Sequence, residues 1–485
     1  MSETLFGLLA AAAHDHAPAA TLGGTTITWA DLHRDALRHA SLLSSLGVQR
    51  GDRVAIQLRP SLDVLPLIFG CARVGAPFVI LHDQVHGPAL DHVLGDAAPA
   101  LFVGDDPSAL TRARAAGVPV LEPDRLTGAA PGELGPEPLA VDPVCLIYTS
   151  GSTGLPKAVV STHGQMVFAA RAIQECLAYR EDDVVFLCLP LSFDYGLYQV
   201  FLALLARAKV HLAEPSQIGP MLVRGLREAG ATVLPAVPSL AQGLARLLRR
   251  SESGLPSLRL LTNTGAAMPD GALAALRDAL PALRVHLMFG LTECKRATIM
   301  PVDEDLRRPG ACGFALPGTE VFTVDDDGQR LPPGEIGEIT VRGPNVMAGY
   351  WRRPELTAAR FPRADDLFPE LRTGDYGRVD ADGFLYFSGR RDDQYKANGF
   401  RVSAAEVEAA CQRVSGVVAA AVLPPGGDRA KPVLFYVGDL TPDQVVKQLR
   451  EEIEPYKAPD WCVAVAALPL NRNGKVDRAA LPALL

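Results

Sequence analysis

Between Thr26 and Phe289 the chain alternates short apolar runs with segments of helical spacing, and this alternation constrains its fold more than any other feature. Thr26-Ile27-Thr28-Trp29 is strand-like, Ala30 to Leu46 carries apolar residues at helical intervals and stops at Gly47, and Arg53 to Leu58 is strand-like again after the turn at Gly51-Asp52. The pattern returns in Val184 to Leu189, Ala231 to Leu234, Leu258 to Thr262 and Arg284 to Phe289, with helical patterns such as Met221 to Ala229 and Ala272 to Leu280 between them. Strands separated by helices predict an α/β fold of mostly parallel sheets with helices on their faces, and such sheets gather ligands at the loops beyond the strand C-termini.

After Glu293 the texture changes. Val321 to Val324, Glu335 to Arg342 and Gly383 to Phe387 read as strands joined by tight turns at Asp325-Asp326-Asp327-Gly328 and Asp380-Ala381-Asp382-Gly383, which predicts a small antiparallel β subdomain. A separate α+β unit follows. Ser403-Ala404-Ala405-Glu406 has the form of a capping box opening a helix that stops near Gly416, and Thr441-Pro442 opens another that runs to about Pro455. Val417 to Leu423, Lys431 to Val437 and Trp461 to Ala467 are its strands. A chain of 485 residues exceeds the roughly 250–300 that one core supports, so at least two domains are expected. The expected division is a large N-terminal domain, 1–389, and a small mobile C-terminal one, 390–485.

The formal charge of −8 leaves no basic footprint for nucleic acid or an anionic membrane. No apolar run approaches the roughly 20 residues of a membrane span. The N-terminus carries Glu3 and no lysine or arginine before Arg34, which is the wrong pattern for a secretory signal. Eight scattered cysteines without a C-x-x-C pair read as reduced, mostly buried thiols, and the expected location is cytoplasmic.

The stretch with the clearest chemistry is Val144 to Lys157, where a strand-like run breaks into Thr149-Ser150-Gly151-Ser152-Thr153-Gly154-Leu155-Pro156-Lys157. Hydroxyls and N–H groups donate to anionic oxygens, glycine admits close approach, and a lysine adds a mobile cation, so the loop suits a polyphosphate. A surface turn is the plainer alternative. The Walker spacing is absent, and neither Ser150 nor Ser152 sits in a G-x-S-x-G elbow. Spacing alone therefore reaches an anion-binding loop in an α/β protein.

Tyr148 to Lys157 resembles the phosphate-loop signature of the adenylate-forming superfamily of acyl-CoA synthetases, luciferases and nonribosomal peptide synthetase adenylation domains. Four further blocks resemble that family in order: Phe289-Gly290-Leu291-Thr292-Glu293, Leu371 to Asp375, Gly389 to Lys396, and Leu468 to Asp477. The resemblance implies that ATP and a carboxylic acid form an acyl-adenylate with release of pyrophosphate, and that the acyl group then passes to a thiol. Thr149 to Gly154 and Lys157 would hold the β- and γ-phosphates, and Glu293 would bind Mg²⁺. Gly265-Ala266-Ala267, Phe289, Gly290 and Thr292 would line the nucleotide, with Asp375 and Arg390 at the ribose. Lys475 would reach the substrate carboxylate and α-phosphate, and Asp392 matches the family's hinge. The catalytic set implied is Thr149, Lys157, Glu293 and Lys475.

For the acid, the resemblance makes Phe193-Asp194 informative. Amino-acid-activating domains carry Phe-Asp here and pair the aspartate with the substrate ammonium, whereas many acyl-CoA synthetases place a histidine where Phe193 falls. An aspartate capping the following helix is the alternative. The implied pocket adds Tyr195, Tyr198, Val237, Thr262, Thr264 and Met288, which suggests a small or cyclic amino acid such as proline. Cys294-Lys295-Arg296 departs from the family pattern. The two cations have three possible uses, namely contact with pyrophosphate, a second substrate carboxylate, or pairing with acids such as Asp303 and Glu304, and the pairing is favoured. The chain ends eight residues after Asp477, so a stand-alone ligase is expected, transferring to the phosphopantetheine thiol of a separate carrier protein. A ligase using free coenzyme A is the competing reading, and a non-catalytic sensor of the same fold a remote one.

Overall fold

The computed structural model describes residues 3–126, 132–149, 156–250, 254–265, 268, 270–364, 367–390, 394–397, 400–426, 429–469, 476 and 478–485. Two large sheets organise the N-terminal part. In one, Arg284–Phe289, Leu260–Asn263, Val233–Ala236, Val184–Leu187, Lys209–Leu212 and Pro18–Leu22 run parallel as neighbours, and antiparallel strands close both edges. In the other, Pro143–Thr149, Phe78–Ile80, Val54–Gln57, Leu101–Gly104 and Val120–Leu121 are parallel, while Lys157–Thr162 and Gly349–Tyr350 extend it antiparallel.

The helices Val64–Val74, His163–Leu177 and Asp194–Ala206 lie in one hydrophobic core with strands of both sheets, where Phe69, Met166 and Phe201 share a cluster with Ile56, Phe78, Val185 and Val233. That position explains a composition unusual for a surface helix. Asp194–Ala206 is buried along its length through Leu204, because a helix held between two sheets has no polar side to present.

From Glu320 the strands are antiparallel: Glu320–Val324, Gly337–Arg342, Phe368–Val379 and Leu385–Arg390 pair in turn. The C-terminal small domain packs Ala404–Arg413 and Pro442–Glu452 against the three strands Val417–Leu423, Val433–Gly438 and Trp461–Ala464. A two-stranded hairpin, Gln394–Ala397 with Phe400–Ser403, precedes it. The mixed α/β class expected from the alternation is the observed one. All eight cysteines are free thiols.

Local chemistry moves several boundaries. Thr28 ends the strand Thr25–Thr28, as expected, and also caps the first long helix through a reciprocal box: its hydroxyl accepts from the Asp31 N–H at 3.0 Å, and Asp31 accepts from the Thr28 N–H at 3.1 Å. Trp29 thereby falls inside the helix. The strand expected to reach Leu189 stops at Leu187, since the carbonyls of Leu189 and Pro190 turn over Gly196, where a Cβ would lie 2.4 Å from the Pro190 oxygen. Gly383 and Phe384 belong to a turn, because the Asp380 carboxylate accepts from the N–H groups of Asp382 and Phe384.

Asp183 ties three strands of the first sheet together at their N-terminal ends. Its buried carboxylate accepts from Arg259 Nε at 2.8 Å and also from Nη2, from the Thr232 hydroxyl at 2.7 Å and from the Arg180 N–H at 2.7 Å. Burial alone would raise the Asp183 pKa, but Arg259 and the other donors outweigh it and hold the group below its ordinary value. A depressed folded-state pKa contributes stability that is fully present above the ordinary carboxylate range and is lost as pH falls through the folded value. Asp183→Ala is expected to lower unfolding free energy by about 2–4 kcal/mol at neutral pH, with a smaller penalty in strong acid. Urea unfolding at the two pH values checks both.

Candidate functional site

Thr149 and Lys157 pair across the antiparallel ladder of the second sheet. Residues 150–155 lie outside the described residues, so Ser150, Gly151, Ser152, Thr153 and Gly154 remain expectations. So do Ala266, Ala267, Asp392 and Lys475, and for Arg390 the description stops at the backbone.

The structure brings Lys157 and Glu293 together across one tyrosine. The Tyr350 hydroxyl donates to Glu293 Oε1 at 2.7 Å, and the Lys157 ammonium lies 4.1 Å from the centre of the same ring. The Met347 N–H donates to the Glu293 carbonyl at 2.9 Å, which fixes the backbone of a buried carboxylate. Thr292, beside it, lines a small cavity with Thr149, Pro156, Ser192 and Phe193.

A larger cavity of about 870 Å³ is lined by Asn263, Gly265, Met288, Phe289, Gly290 and Asp375, among others. Phe289 faces Phe387 at 5.9 Å between ring centroids. Asp375 is buried on the strand Phe368–Val379, directly opposite Arg390 in the ladder, and its N–H donates to the Thr373 hydroxyl at 3.1 Å. Gly265 has φ +100°, a conformation that glycine adopts readily. An aromatic face, open backbone and a buried carboxylate form a setting that fits a nucleoside, and a carboxylate beside a lysine at the phosphate loop fits a divalent cation with phosphate oxygens.

The expected acid pocket is only partly one unit. Asp194 occupies the first turn of its helix, is 4% exposed, and makes no capping bond; Phe193 is the N-cap residue. The capping alternative is therefore set aside. Asp194 Oδ2 lies 3.4 Å from Arg296 Nη1, with both side chains buried. The Arg296 guanidinium sits 4.7 Å over the Tyr195 ring, whose hydroxyl bonds to Thr262 at 2.7 Å. Lys295 is wholly buried, with its ammonium 5.8 Å from the Tyr198 ring. Among the described residues, neither the Lys295 ammonium nor the Tyr198 hydroxyl has a hydrogen-bond partner. Burial pushes the Lys295 pKa down against the opposing field of Asp194.

Phe193 and Val237 line a neighbouring apolar cavity of about 290 Å³, Met288 faces the larger cavity, and Thr264 is buried between Asn263 and Gly265, which line that larger cavity. The pairing expected of Lys295-Arg296 with Asp303 and Glu304 is corrected by the structure. Asp303 is taken by Arg277 at 3.3 Å and Arg284 at 2.7 Å, and Glu304 by Arg307 and Arg308. Arg296 turns inward to Asp194 instead.

Sequence reasoning missed several neighbours of the site. Phe400, on the hairpin before the small domain, packs 6.1 Å from Phe193 and 3.9 Å from Tyr456, and His82 stands beside both rings. Behind them Lys457 is buried between Glu406 at 2.7 Å and Glu454 at 2.8 Å. Glu406, expected as the far half of a capping box, therefore also carries an interior ion pair. Tyr350 is the other omission, and the aromatic pair Tyr350-Trp351 after Gly349 is the cue the sequence offers.

Comparison with known proteins gives consistent matches. The family described as AMP-binding enzyme matches residues 9–351, and the AMP-binding enzyme C-terminal domain matches residues 406–475. A feruloyl-CoA synthase from Amycolatopsis sp is 31% identical over 474 residues, covering 95% of this chain and 94% of its own. A dimodular nonribosomal peptide synthase from Bacillus subtilis is 30% identical over 94% of this chain, which spans 20% of that protein. Among solved structures, VinN is 42% identical with a TM-score of 0.74, covering 80% of this chain and 98% of VinN. VinN in complex with L-aspartate aligns at 40% identity and a TM-score of 0.73, over 80% of this chain and all of that one.

An interior ammonium without a hydrogen bond destabilises the ligand-free protein. Lys295→Met, which keeps the volume and leaves Arg296 to compensate Asp194, is expected to raise unfolding free energy by about 1–3 kcal/mol. Asp194→Ala, which leaves two cations facing each other, is expected to lower it by a similar amount. Thermal melts of the two variants without ligand check the opposite signs.

Proposed function

The chain belongs to the AMP-binding enzyme family, and on that premise we propose that it activates an acidic amino acid and passes it to the phosphopantetheine thiol of a carrier protein. As an AMP-forming ligase it is an adenylate-forming enzyme that activates a carboxylic acid. The acid class is the finer reading.

One observation carries it: the buried side chains of one anion, Asp194, and two cations, Lys295 and Arg296, lie together, and the Lys295 ammonium has no hydrogen-bond partner among the described residues. Charges kept out of water require partners. An amino dicarboxylic acid supplies both signs. Its ammonium answers Asp194, its second carboxylate answers Lys295 and Arg296, and its first carboxylate is left to react. Proline or alanine leaves the second cation uncompensated, so the acidic substrate is preferred to the small neutral one expected from sequence. The L-aspartate complex of VinN supports the same chemistry.

The residue roles follow the family resemblance, and the positions of Lys157, Glu293, Phe289, Gly265 and Asp375 support theirs. Lys157 and residues 149–154 hold the β- and γ-phosphates, and Phe289, Gly265 and Asp375 receive adenine and ribose. Glu293 would hold Mg²⁺, which when bound would offset phosphate charge. Tyr350 holds the Glu293 carboxylate at its hydroxyl and the Lys157 ammonium over its ring. In this reading Lys475 closes over the substrate carboxylate, and Asp392 is the hinge between 1–389 and 390–485. An amino-acid substrate makes a carrier thiol the expected acceptor, with free coenzyme A as the alternative.

Amino-acid-dependent pyrophosphate exchange tests the reading. L-aspartate or a near analogue is expected to exceed L-asparagine, L-alanine and L-proline by at least about tenfold in kcat/KM. Asp194→Ala is expected to abolish activation of every amino acid, and Lys475→Ala to depress adenylation. A preference for proline or for an aryl acid in the wild type overturns the acidic-substrate reading. Adding coenzyme A or a loaded carrier protein to the pre-formed adenylate separates the two acceptors.

A further inference from the structure

Lys295 stands in a backbone conformation that lysine seldom adopts. Its φ is +62°, and the Arg296 N–H donates to the Cys294 carbonyl at 2.8 Å. A bond closing three residues about a central residue of positive φ is the rare, strained form of the γ-turn. Residues other than glycine occupy such turns only where the surroundings impose them.

Two features impose this one. Gly290 allows the turn to pack against the preceding strand, for a Cβ there would lie 2.3 Å from the Lys295 carbonyl oxygen and 2.8 Å from the Arg296 Cα. Asn345 then holds it from the other side. Its Nδ2 donates to the Cys294 carbonyl at 3.3 Å and to the Arg296 carbonyl at 3.0 Å, so one amide bridges the two carbonyls that flank Lys295. Two carbonyl acceptors require the nitrogen of the amide at that end. Asn345 is itself wholly buried and anchored in sequence, since the Val346 carbonyl accepts from Gln165 Nε2 at 2.8 Å and the Met347 N–H donates to the Glu293 carbonyl.

We propose that Asn345 is the positioning residue of the cationic pair: by pinning the carbonyls on both sides of Lys295 it maintains the strained turn that directs the ammonium toward Asp194 and Tyr198, and so sets the preference for a second carboxylate. The proposal rests on the acidic-amino-acid reading for its substrate, but the turn itself can be measured without any substrate. Asn345 touches no reacting atom. Its effect is on where Lys295 stands.

Two experiments test this. In pyrophosphate exchange, Asn345→Ala and Asn345→Asp are expected to raise the KM for L-aspartate by at least about tenfold and to shrink the discrimination against L-asparagine, with kcat changed less than KM. ATP binding serves as the fold control. If Lys295→Met leaves the discrimination intact, the acidic-substrate reading fails. If Lys295→Met removes the discrimination while both Asn345 variants keep it, the role of Asn345 fails. The second experiment compares melting temperatures of Lys295→Gly and Lys295→Ala, which both remove the charge but differ in tolerance of positive φ. The glycine variant is expected to melt higher in the wild-type background, and the gap to shrink when Asn345→Ala is added. Absence of a gap overturns the strained turn, including where an Asn345 variant fails to fold, and a gap untouched by Asn345→Ala overturns its cause.

Discussion

The hydrogen bonds made by Asn345 to Trp351 hold the site together. Asn345 bridges the carbonyls of Cys294 and Arg296, the Met347 N–H meets Glu293, and the Ala348 and Trp351 N–H groups meet Val160 and Ala158 on the strand that begins with Lys157. Tyr350 adds a side-chain link between Glu293 and Lys157. A single stretch of chain therefore locks the phosphate-loop strand, the candidate metal carboxylate and the cationic turn into one frame. Such convergence has a physical basis. Groups that act on polyphosphate must be preorganised, because side chains free to reorient would spend binding energy on their own ordering.

Much of the fold was readable because periodicity reports which faces are buried. The strand Arg284–Phe289 and the strand Val417–Leu423 fall where apolar patterning puts them, and the α/β class follows from their alternation with helices. Boundaries moved where a side chain competes for the backbone, as at Thr28 and Asp380, a contest that hydropathy does not register. The wide strand Phe368–Val379 was seen only as a motif around Asp375, since charged residues on an antiparallel strand weaken the period-two signal.

The site was legible in part. The family resemblance assigned Gly265, Phe289, Gly290 and Asp375, which line one cavity, and Lys157 and Glu293, which share Tyr350. It failed for Lys295-Arg296. Sequence proximity suggested Asp303 and Glu304 as partners, but Arg277, Arg284, Arg307 and Arg308 already occupy those carboxylates. An ion pair between residues 102 positions apart, Arg296 and Asp194, leaves no trace in local composition. Tyr350 and Phe400 were missed for the same reason, because each acts on the site from a distant element.

The charge count in the pocket explains why stability and substrate choice pull against each other. Asp194 and Arg296 offset one another across 3.4 Å, so the pair alone would form a neutral lining suited to a polar but uncharged side chain. Lys295 breaks that neutrality from a strained turn, at a cost in both desolvation and backbone conformation. Neither cost is recovered in the empty protein, and a neutral acid recovers neither. On the proposed acidic-substrate reading, a second carboxylate lowers the electrostatic cost: once the substrate ammonium meets Asp194, Lys295 and Arg296 face one anion in an acidic substrate and none in a neutral one. On the proposed reading, discrimination between acids arises less from pocket depth at Tyr198 than from the penalty of leaving Lys295 buried without an anion.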